Sequence, residues 1–346
     1  MRVVVVGASG NVGTALLRRI AADTTITSVT GVARRVPART PPPPYDVADW
    51  VACDVGAGDD DAPTVAALAR TFAGADAVVH LAWAIQPSHD RATLRSTNVV
   101  GTRRVAQAAV RAGVPHLVVA SSVGAYSPVA DDDPRDEDLP TGGTRTSTYS
   151  VDKVSVEQLL DRVEADHPSL VVTRLRPALV FQRDAGHEIA RYFLGPFVPT
   201  PVLAGKVPVL PWPTGLRLQV VHADDLAEAF REAVVRQVPG AFNVAAPQVL
   251  HGHDVAAVVS QGRVRDVPAR AARLALSAAW RVRAVPVGPG WFDMALGVPV
   301  LSTARAGRSL GWQPARTGHE ALAELVEGIA AGAGTASPPM RARWRL

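Results

Sequence analysis

Val3-Val4-Val5-Val6-Gly7-Ala8-Ser9-Gly10-Asn11-Val12-Gly13 is the stretch on which the fold turns. Four valines in a row lack the alternation of a half-exposed strand and predict one buried on both faces. From Asn11 to Ala22 the apolar residues Val12, Leu16 and Ile20 recur at helical spacing. Three glycines run from the end of the strand into the opening of the helix. Gly7 permits a tight turn, Gly10 lets a ligand approach the backbone, and Gly13 lets the helix pack close to the sheet. The opening turn of such a helix offers unpaired N–H groups and a partial positive charge, which suit phosphate. This is the physics of a turn that cradles a dinucleotide pyrophosphate, here with G-x-x-G-x-x-G spacing, one residue wider than G-x-G-x-x-G. Gly7, Ser9, Gly10, Asn11 and Val12 are its candidate contacts.

Working outward, strand-like and helical patterns alternate. Strands are expected at Ile26–Val32, Trp50–Asp54, Ala77–Leu81, Leu117–Ala120 and Leu170–Leu175, with helices at Ala62–Phe72, Arg91–Ala112 and Ser147–Ala165. Pro37 and Pro41–Pro44 mark a loop, and the acidic segment Asp131–Asp138 a solvated one. Alternation of this kind means βαβ units and a doubly wound parallel sheet in the α/β (Rossmann) class. Past Phe181 prolines crowd in with Phe193, Phe197 and Trp212, as in an irregular pocket wall. Helical spacing resumes at Asp224–Val235, Asp254–Gln261, Ala269–Val282 and Glu320–Ile329. The expected division is a dinucleotide-binding part over 1–180 and a smaller, interleaved substrate-binding part over 181–330. Segments near 215–245 return to the sheet, and a Gly-, Pro- and Arg-rich mobile tail covers 331–346.

Composition narrows the function classes. With 346 residues and 20% charged side chains, the chain can bury a full core without disulfides, and its one cysteine, Cys53, forms none internally. The lone thiol fits a cytoplasmic location. No apolar run approaches the roughly 20 residues of a membrane span, so neither a membrane nor, with a diffuse net charge of +4, nucleic acid is an expected partner.

Two further clusters carry chemistry. The second strand ends in Ala33-Arg34-Arg35, where an NAD-selective site usually places an acid for the ribose hydroxyls. Two guanidiniums suit a 2′-phosphate instead, so NADP is the expected cofactor, with NAD as the alternative. Asp54-Val55, after the third strand, places a carboxylate near the adenine. Tyr149 and Lys153 stand four apart on a helix and share one face. An ammonium beside the phenol favours phenolate and makes Tyr149 a general acid/base. Ser121 and Ser122 end the strand Leu117–Ala120, at the sheet edge where ligands bind.

Taken with GASGNVG, the segments HLAW (80–83), NVVGT (98–102), ASSVGAY (120–126), YSVDK (149–153), RLRPALVF (174–181), VVHADDLAEAF (220–230), FNVA (242–245) and ARAGRSLGWQP (304–314) resemble an extended short-chain dehydrogenase/reductase of the NAD-dependent epimerase/dehydratase type. The resemblance implies that Tyr149 is the catalytic acid/base, that Lys153 lowers its pKa and binds the nicotinamide ribose, and that Ser122 orients the substrate oxygen. It places Leu81, Ala82 and Trp83 along the cofactor, Pro177 and Val180 near the nicotinamide, and Asn98 at a structural helix position. Homodimers through the long helices of the first half are common in such proteins.

Two departures bear on substrate. Nucleotide-sugar members usually carry an Arg four residues before the histidine equivalent to His222. That position is Leu218, with Arg217 one residue out of register, and no clear Asn follows the RLRP strand. Zinc-protease, G-x-S-x-G and P-loop motifs are absent, and His251 and His253 lack companions for a metal. The reading is an NADP(H)-preferring oxidoreductase interconverting a carbonyl and a secondary alcohol on a small non-nucleotide substrate. The alternatives are a sugar epimerase or dehydratase with a transient keto intermediate, and a non-catalytic dinucleotide sensor.

Overall fold

The computed structural model describes residues 1–86, 89–195 and 200–342. In chain order the strands are β1 (Arg2–Val6), β2 (Ser28–Ala33), β3 (Asp49–Ala52), β4 (Ala77–His80), β5 (His116–Ala120), β6 (Val171–Pro177), β7 (Leu179–Phe181), β8 (Leu210–Pro213), β9 (Leu218–His222), β10 (Gly240–Val244), β11 (Val249–Leu250) and β12 (Val264–Val267). The helices are α1 (Asn11–Ile20), α2 (Asp61–Phe72), α3 (Arg91–Arg95), α4 (Gly101–Arg111), α5 (Thr148–Asp166), α6 (Gly186–Ile189), α7 (Ala223–Arg236), α8 (Gly252–Val259), α9 (Ala269–Arg281), α10 (Pro289–Gly297), α11 (Ala304–Leu310) and α12 (Gly318–Ala331).

Seven strands form one parallel sheet in the order β3-β2-β1-β4-β5-β6-β10. The order reverses between β1 and β4, and ligands in such sheets bind in the crevice beyond the strand ends at that point. Register aligns the ends: Val6 pairs with Val32 on one side and His80 on the other. Gly7, Ala33 and Leu81 therefore emerge together. Both faces are covered, which is why Val3–Val6 needs no alternation: α1, α7 and α11 pack on one, and α2, α4 and α5 on the other. A separate cluster of Trp212, Val220, Leu250, Val255, Leu322 and Val326 joins β8, β9, α8 and α12.

Two expectations need revision. The helix foreseen over Arg91–Ala112 widens into a π stretch at Ser96–Val100. There the buried Asn98 accepts from the Ala84 N–H at 2.7 Å and donates to the Ala84 carbonyl at 3.0 Å. The extra residue per turn aims that amide at the loop after β4. The tail from Ala331 is packed as far as it is described. Ser337 and Met340 are fully buried, Thr335 hydrogen-bonds Tyr45 at 2.6 Å, and the Ala333 carbonyl accepts from the His187 N–H. Composition marks such a segment as loop but carries no record of what it lies against. Residues 343–346 fall outside the described residues.

Among the described residues no helix is long and apolar enough to cross a membrane.

Candidate active site

Gly7 adopts φ +90°, and a Cβ there would sit 2.5 Å from the Ala82 nitrogen. A Cβ at Gly13 would meet the Ala8 carbonyl oxygen at 2.5 Å, so helix and turn touch only because it is absent. At Gly10 the same atom would make ordinary contact at 3.5 Å, which leaves approach of a ligand as the reason for glycine there. No side chain caps α1, and its first N–H groups stay free for an anion. These features fit a dinucleotide pyrophosphate.

The groove above this turn brings together Gly7, Ser9, Gly10, Arg34, Arg35, Asp54, Val55, Leu81, Ala82 and Trp83. Arg34 and Arg35 are both exposed at the end of β2, and Arg34 pairs with Asp54 at 3.8 Å. Asn11, Val12, Pro177 and Val180 do not line the groove: the first two lie in the opening turn of α1, and the others in β6 and β7. Glu188, Tyr192 and Pro339 also line it, contributed by the segment after β7 and by the chain beyond α12. Nothing in their local sequence marks them, since only the long-range fold brings them here.

Ser147 caps α5 by accepting from the Ser150 N–H at 3.3 Å, which starts the helix just ahead of Tyr149. Ser122, two residues beyond β5, has extended backbone and is buried; its hydroxyl accepts from the Gly124 N–H at 3.0 Å and lies near enough to the Tyr149 phenol to favour its charged form. Lys153 lies on the same helix face, its ammonium 5.7 Å from the Tyr149 ring centroid. It donates to the Ala120 carbonyl at 2.8 Å and lies 3.5 Å from the centroid of the Trp83 ring. Burial pushes the Tyr149 phenol up to about 12, against the Ser122 hydroxyl, which lowers it. Burial likewise draws Lys153 down to about 7, opposed by Glu157 and Asp152. The expected lowering of the phenol by the neighbouring ammonium is therefore not seen here. Helical spacing fixes the shared face, but Lys153 turns toward Ala120 and Trp83.

Behind the pair, Glu157 accepts from Ser121 at 2.5 Å, from Arg176 at 2.9 Å and from Arg174 at 3.1 Å. Burial opposes its charge, yet the Arg176 hydrogen bonds and charge, helped by Ser121 and Arg174, hold the carboxyl at about 2. Asp152, equally buried, is clamped by Arg91. Both faces of α5 that flank Lys153 are thus fixed to the sheet and to α3.

The Tyr149 ring is walled by aromatic residues. Trp83 meets its ring edge-on at 5.7 Å, Trp291 lies at 4.7 Å with a 40° tilt, and Phe193 meets Trp291 edge-on at 5.2 Å. Trp291 comes from α10, an element the sequence reading passed over. Pro289 at the first turn is its one local signal. A Cβ at Gly290 would meet the Thr146 carbonyl oxygen at 2.1 Å, so glycine there lets α10 rest on the loop before α5. Of the aromatics foreseen as a pocket wall, Phe193 packs edge-on against Trp291. Trp212 is instead buried in the β8–α8 core, donating its indole N–H to Leu216, and Phe197 lies outside the described residues.

Arg217 is committed elsewhere: it donates to the Val129 and Val298 carbonyls and pairs with Asp132 at 3.1 Å. Leu218 packs against the β8–α8 core. His251 and His253 stack at 6.1 Å, and His251 pairs with Asp132. Among the described residues no group of three or more His, Cys, Asp or Glu could hold a metal.

The family model for the NAD-dependent epimerase/dehydratase family matches residues 3–245. The chain is 27% identical over 255 residues to uncharacterized proteins of Mycobacterium tuberculosis and Mycobacterium bovis, covering 72% of this chain and 63% of theirs. It therefore spans less than two thirds of those relatives' length. It is also 27% identical over 352 residues to a 3-beta-hydroxysteroid dehydrogenase of Mycolicibacterium neoaurum, covering 94% and 90% of the two chains. Similar solved structures include DesIV, a dTDP-glucose 4,6-dehydratase from Streptomyces venezuelae with NAD and TYD bound (TM-score 0.69, 20% identity, 96% and 97% coverage). A UDP-N-acetylglucosamine 4-epimerase from Bacillus cereus is another (TM-score 0.67, 17% identity, 95% and 99% coverage).

Proposed function

The chain belongs to the NAD-dependent epimerase/dehydratase family, and from that premise we propose that it is an NAD(P)-dependent oxidoreductase of a small, apolar, non-nucleotide alcohol or ketone. The observation that carries this is the buried Tyr149 phenol, with the Ser122 hydroxyl nearby and its ring walled by Trp83 and Trp291, with Phe193 behind Trp291. In the reducing direction the Tyr149 phenol gives its proton to the substrate oxygen as the secondary alcohol forms; in the reverse direction the Tyr149 phenolate takes that proton as the carbonyl forms. Ser122 holds the substrate oxygen, and Lys153 supplies a positive charge beside the phenol when protonated. When bound, the dinucleotide supplies the hydride acceptor or donor. Gly7, Ser9 and Gly10 would hold its phosphates.

The aromatic wall and the engagement of Arg217 with Asp132 and two carbonyls favour an uncharged substrate over a sugar diphosphate. The likeness to a 3-beta-hydroxysteroid dehydrogenase over most of both chains points the same way. Arg34 and Arg35, exposed where no acid closes β2, favour NADP over NAD.

The test is a panel of apolar secondary alcohols, their ketones and nucleotide sugars, followed by cofactor absorbance and by product analysis. Net oxidation or reduction with an apolar member, lost by at least a hundredfold in Tyr149→Phe with cofactor binding kept, is the expected result. Product from a nucleotide sugar without net absorbance change would establish the epimerase or dehydratase reading, which the sugar-nucleotide structural neighbours support.

A further inference from the structure

Helix α9 has no buried residue, although it is thirteen residues long. Its exposed positions are Arg270, Ala271, Leu274, Ala275, Ala278 and Arg281, followed by Val282 at the C-cap. At about 100° per residue they fall within about 140° of the helix circumference. This is one continuous outward face built of alanine, leucine, valine and arginine. A helix resting on a globular surface normally turns its apolar residues inward and its polar residues to water. Here Leu274 is 70% exposed and Val282 76%, the two most exposed large hydrophobic residues among those described.

Charge completes the pattern. No Asp or Glu occurs from Val267 to Phe292. Arg273, on the inner side, pairs with Asp293, while Arg270, Arg281 and Arg283 are all exposed and carry no ion pair among the described contacts. We propose that the outer face of α9 is a docking surface for an anionic lipid bilayer, with Leu274 and Val282 entering the interface and the three arginines meeting lipid phosphates. A single face of this composition suits a plane of lipid. A second copy of the chain is disfavoured, because a two-fold contact through this face sets the same three arginines against one another. A protein groove that takes a helix reads anchors at i, i+3, i+4 and i+7; here those are Ala271, Leu274, Ala275 and Ala278, three of them too small to fill a pocket, and the inner side of α9 is already packed on α10.

The position has a consequence for access. Trp280, on the inner side of α9, stacks on His89 at 4.3 Å, and α10 carries the Trp291 that covers Tyr149. Docking through α9 therefore sets α10 and its Trp291 close to the lipid surface. The proposal concerns a surface contact, not a membrane span, and does not depend on the reaction proposed above.

The test is co-sedimentation of the full chain with phosphatidylglycerol/phosphatidylcholine vesicles and with phosphatidylcholine vesicles alone. Expected are binding to the anionic vesicles, little to the neutral ones, and loss of binding at high salt. Arg270→Ala/Arg281→Ala/Arg283→Ala weakens vesicle binding roughly a hundredfold, and Leu274→Asp/Val282→Asp abolishes it. All five side chains are exposed, so both variants should keep the circular dichroism and thermal midpoint of the parent. No binding to anionic vesicles overturns the proposal, as does binding that survives either variant. A chain that is dimeric at assay concentration and becomes monomeric in Leu274→Asp assigns the face to self-association and overturns it equally.

Discussion

Ser337 donates its hydroxyl to the backbone carbonyl of Ser9 at 2.5 Å, tying the C-terminal strap to the glycine turn. Both ends of this bond are buried, and Pro339, two residues on, lines the cofactor groove beside Ser9 and Gly10. In the proposed function, the bond holds the turn in the shape that would present its amides to phosphate. One hydrogen bond of this kind is worth about 1 kcal/mol. Ser337→Ala should therefore weaken dinucleotide affinity about fivefold while leaving kcat close to the parent value, and Ser337→Thr should restore most of the loss. Cofactor titration by tryptophan fluorescence, beside steady-state kinetics, separates the two. Equal affinity in parent and Ser337→Ala would show that the turn keeps its shape unaided.

The two guanidiniums at the end of β2 make a sharper prediction about cofactor choice. A 2′-phosphate accepts charge-assisted hydrogen bonds worth about 1.5–3 kcal/mol each. Arg34→Ala/Arg35→Ala should cost NADP at least tenfold in affinity and leave NAD within about twofold. Each charge is already partly shared with a carboxylate, Arg34 with Asp54 and Arg35 with Glu188, so each single change to Ala should cost NADP less than the double one. Parallel losses for both cofactors would remove the argument for NADP.

What was legible in the sequence was local. The glycine turn, the Tyr149–Lys153 spacing and Ser122 at a strand end are read within a few residues, because helix and strand periodicities place such groups directly. The wall opposite Tyr149 was not legible. Trp291 is far away in sequence, and neither spacing nor composition tells it from Trp212, which went into a core instead. The strap was missed because Gly, Pro and Arg describe a segment's conformational habits and not the surface it meets. Lys153 shows the same limit at short range: its helix face follows from periodicity, while its turn toward Ala120 and Trp83 follows from packing.

Two buried histidines govern the behaviour of the fold in acid. His80 bonds Thr102 at 2.9 Å and His116 bonds Thr173 at 2.8 Å through Nε2. Each threonine hydroxyl gives its own proton to a carbonyl, of Asn98 and Val238 respectively, so each Nε2 must donate and each Nδ1 is bare. Burial lowers His80 to about 3, aided by Lys153, and His116 to about 4. Below pH ~6.5 the unfolded chain takes up two protons that the folded chain refuses. Their contribution to stability is complete above that pH and is lost as pH falls toward 4 and then 3. His116→Gln keeps a donor for Thr173 and removes one titrating group. The unfolding free energy of this variant, from urea titration, should fall less steeply than that of the parent between neutral pH and about pH 5, by up to about 1.4 kcal/mol per pH unit. Superimposable pH profiles would place the acid lability elsewhere.

In the proposed reaction, Trp291 ties substrate binding to the acidity of the Tyr149 phenol. Its indole covers the Tyr149 ring at 4.7 Å, and burial is the main cause of the raised phenol pKa. Trp291→Ala opens that side to water, so the pKa should fall from about 12 toward the ordinary value near 10. The same change removes apolar surface from the proposed substrate wall, and KM for an apolar substrate should rise about tenfold or more. Ultraviolet difference titration, referenced to Tyr149→Phe, reads the first effect, and steady-state kinetics the second. A rise in KM with an unmoved phenol would mean that Trp83 and Ser122 alone keep Tyr149 dry. A fallen pKa with unchanged KM would mean that the substrate approaches from a side Trp291 does not face.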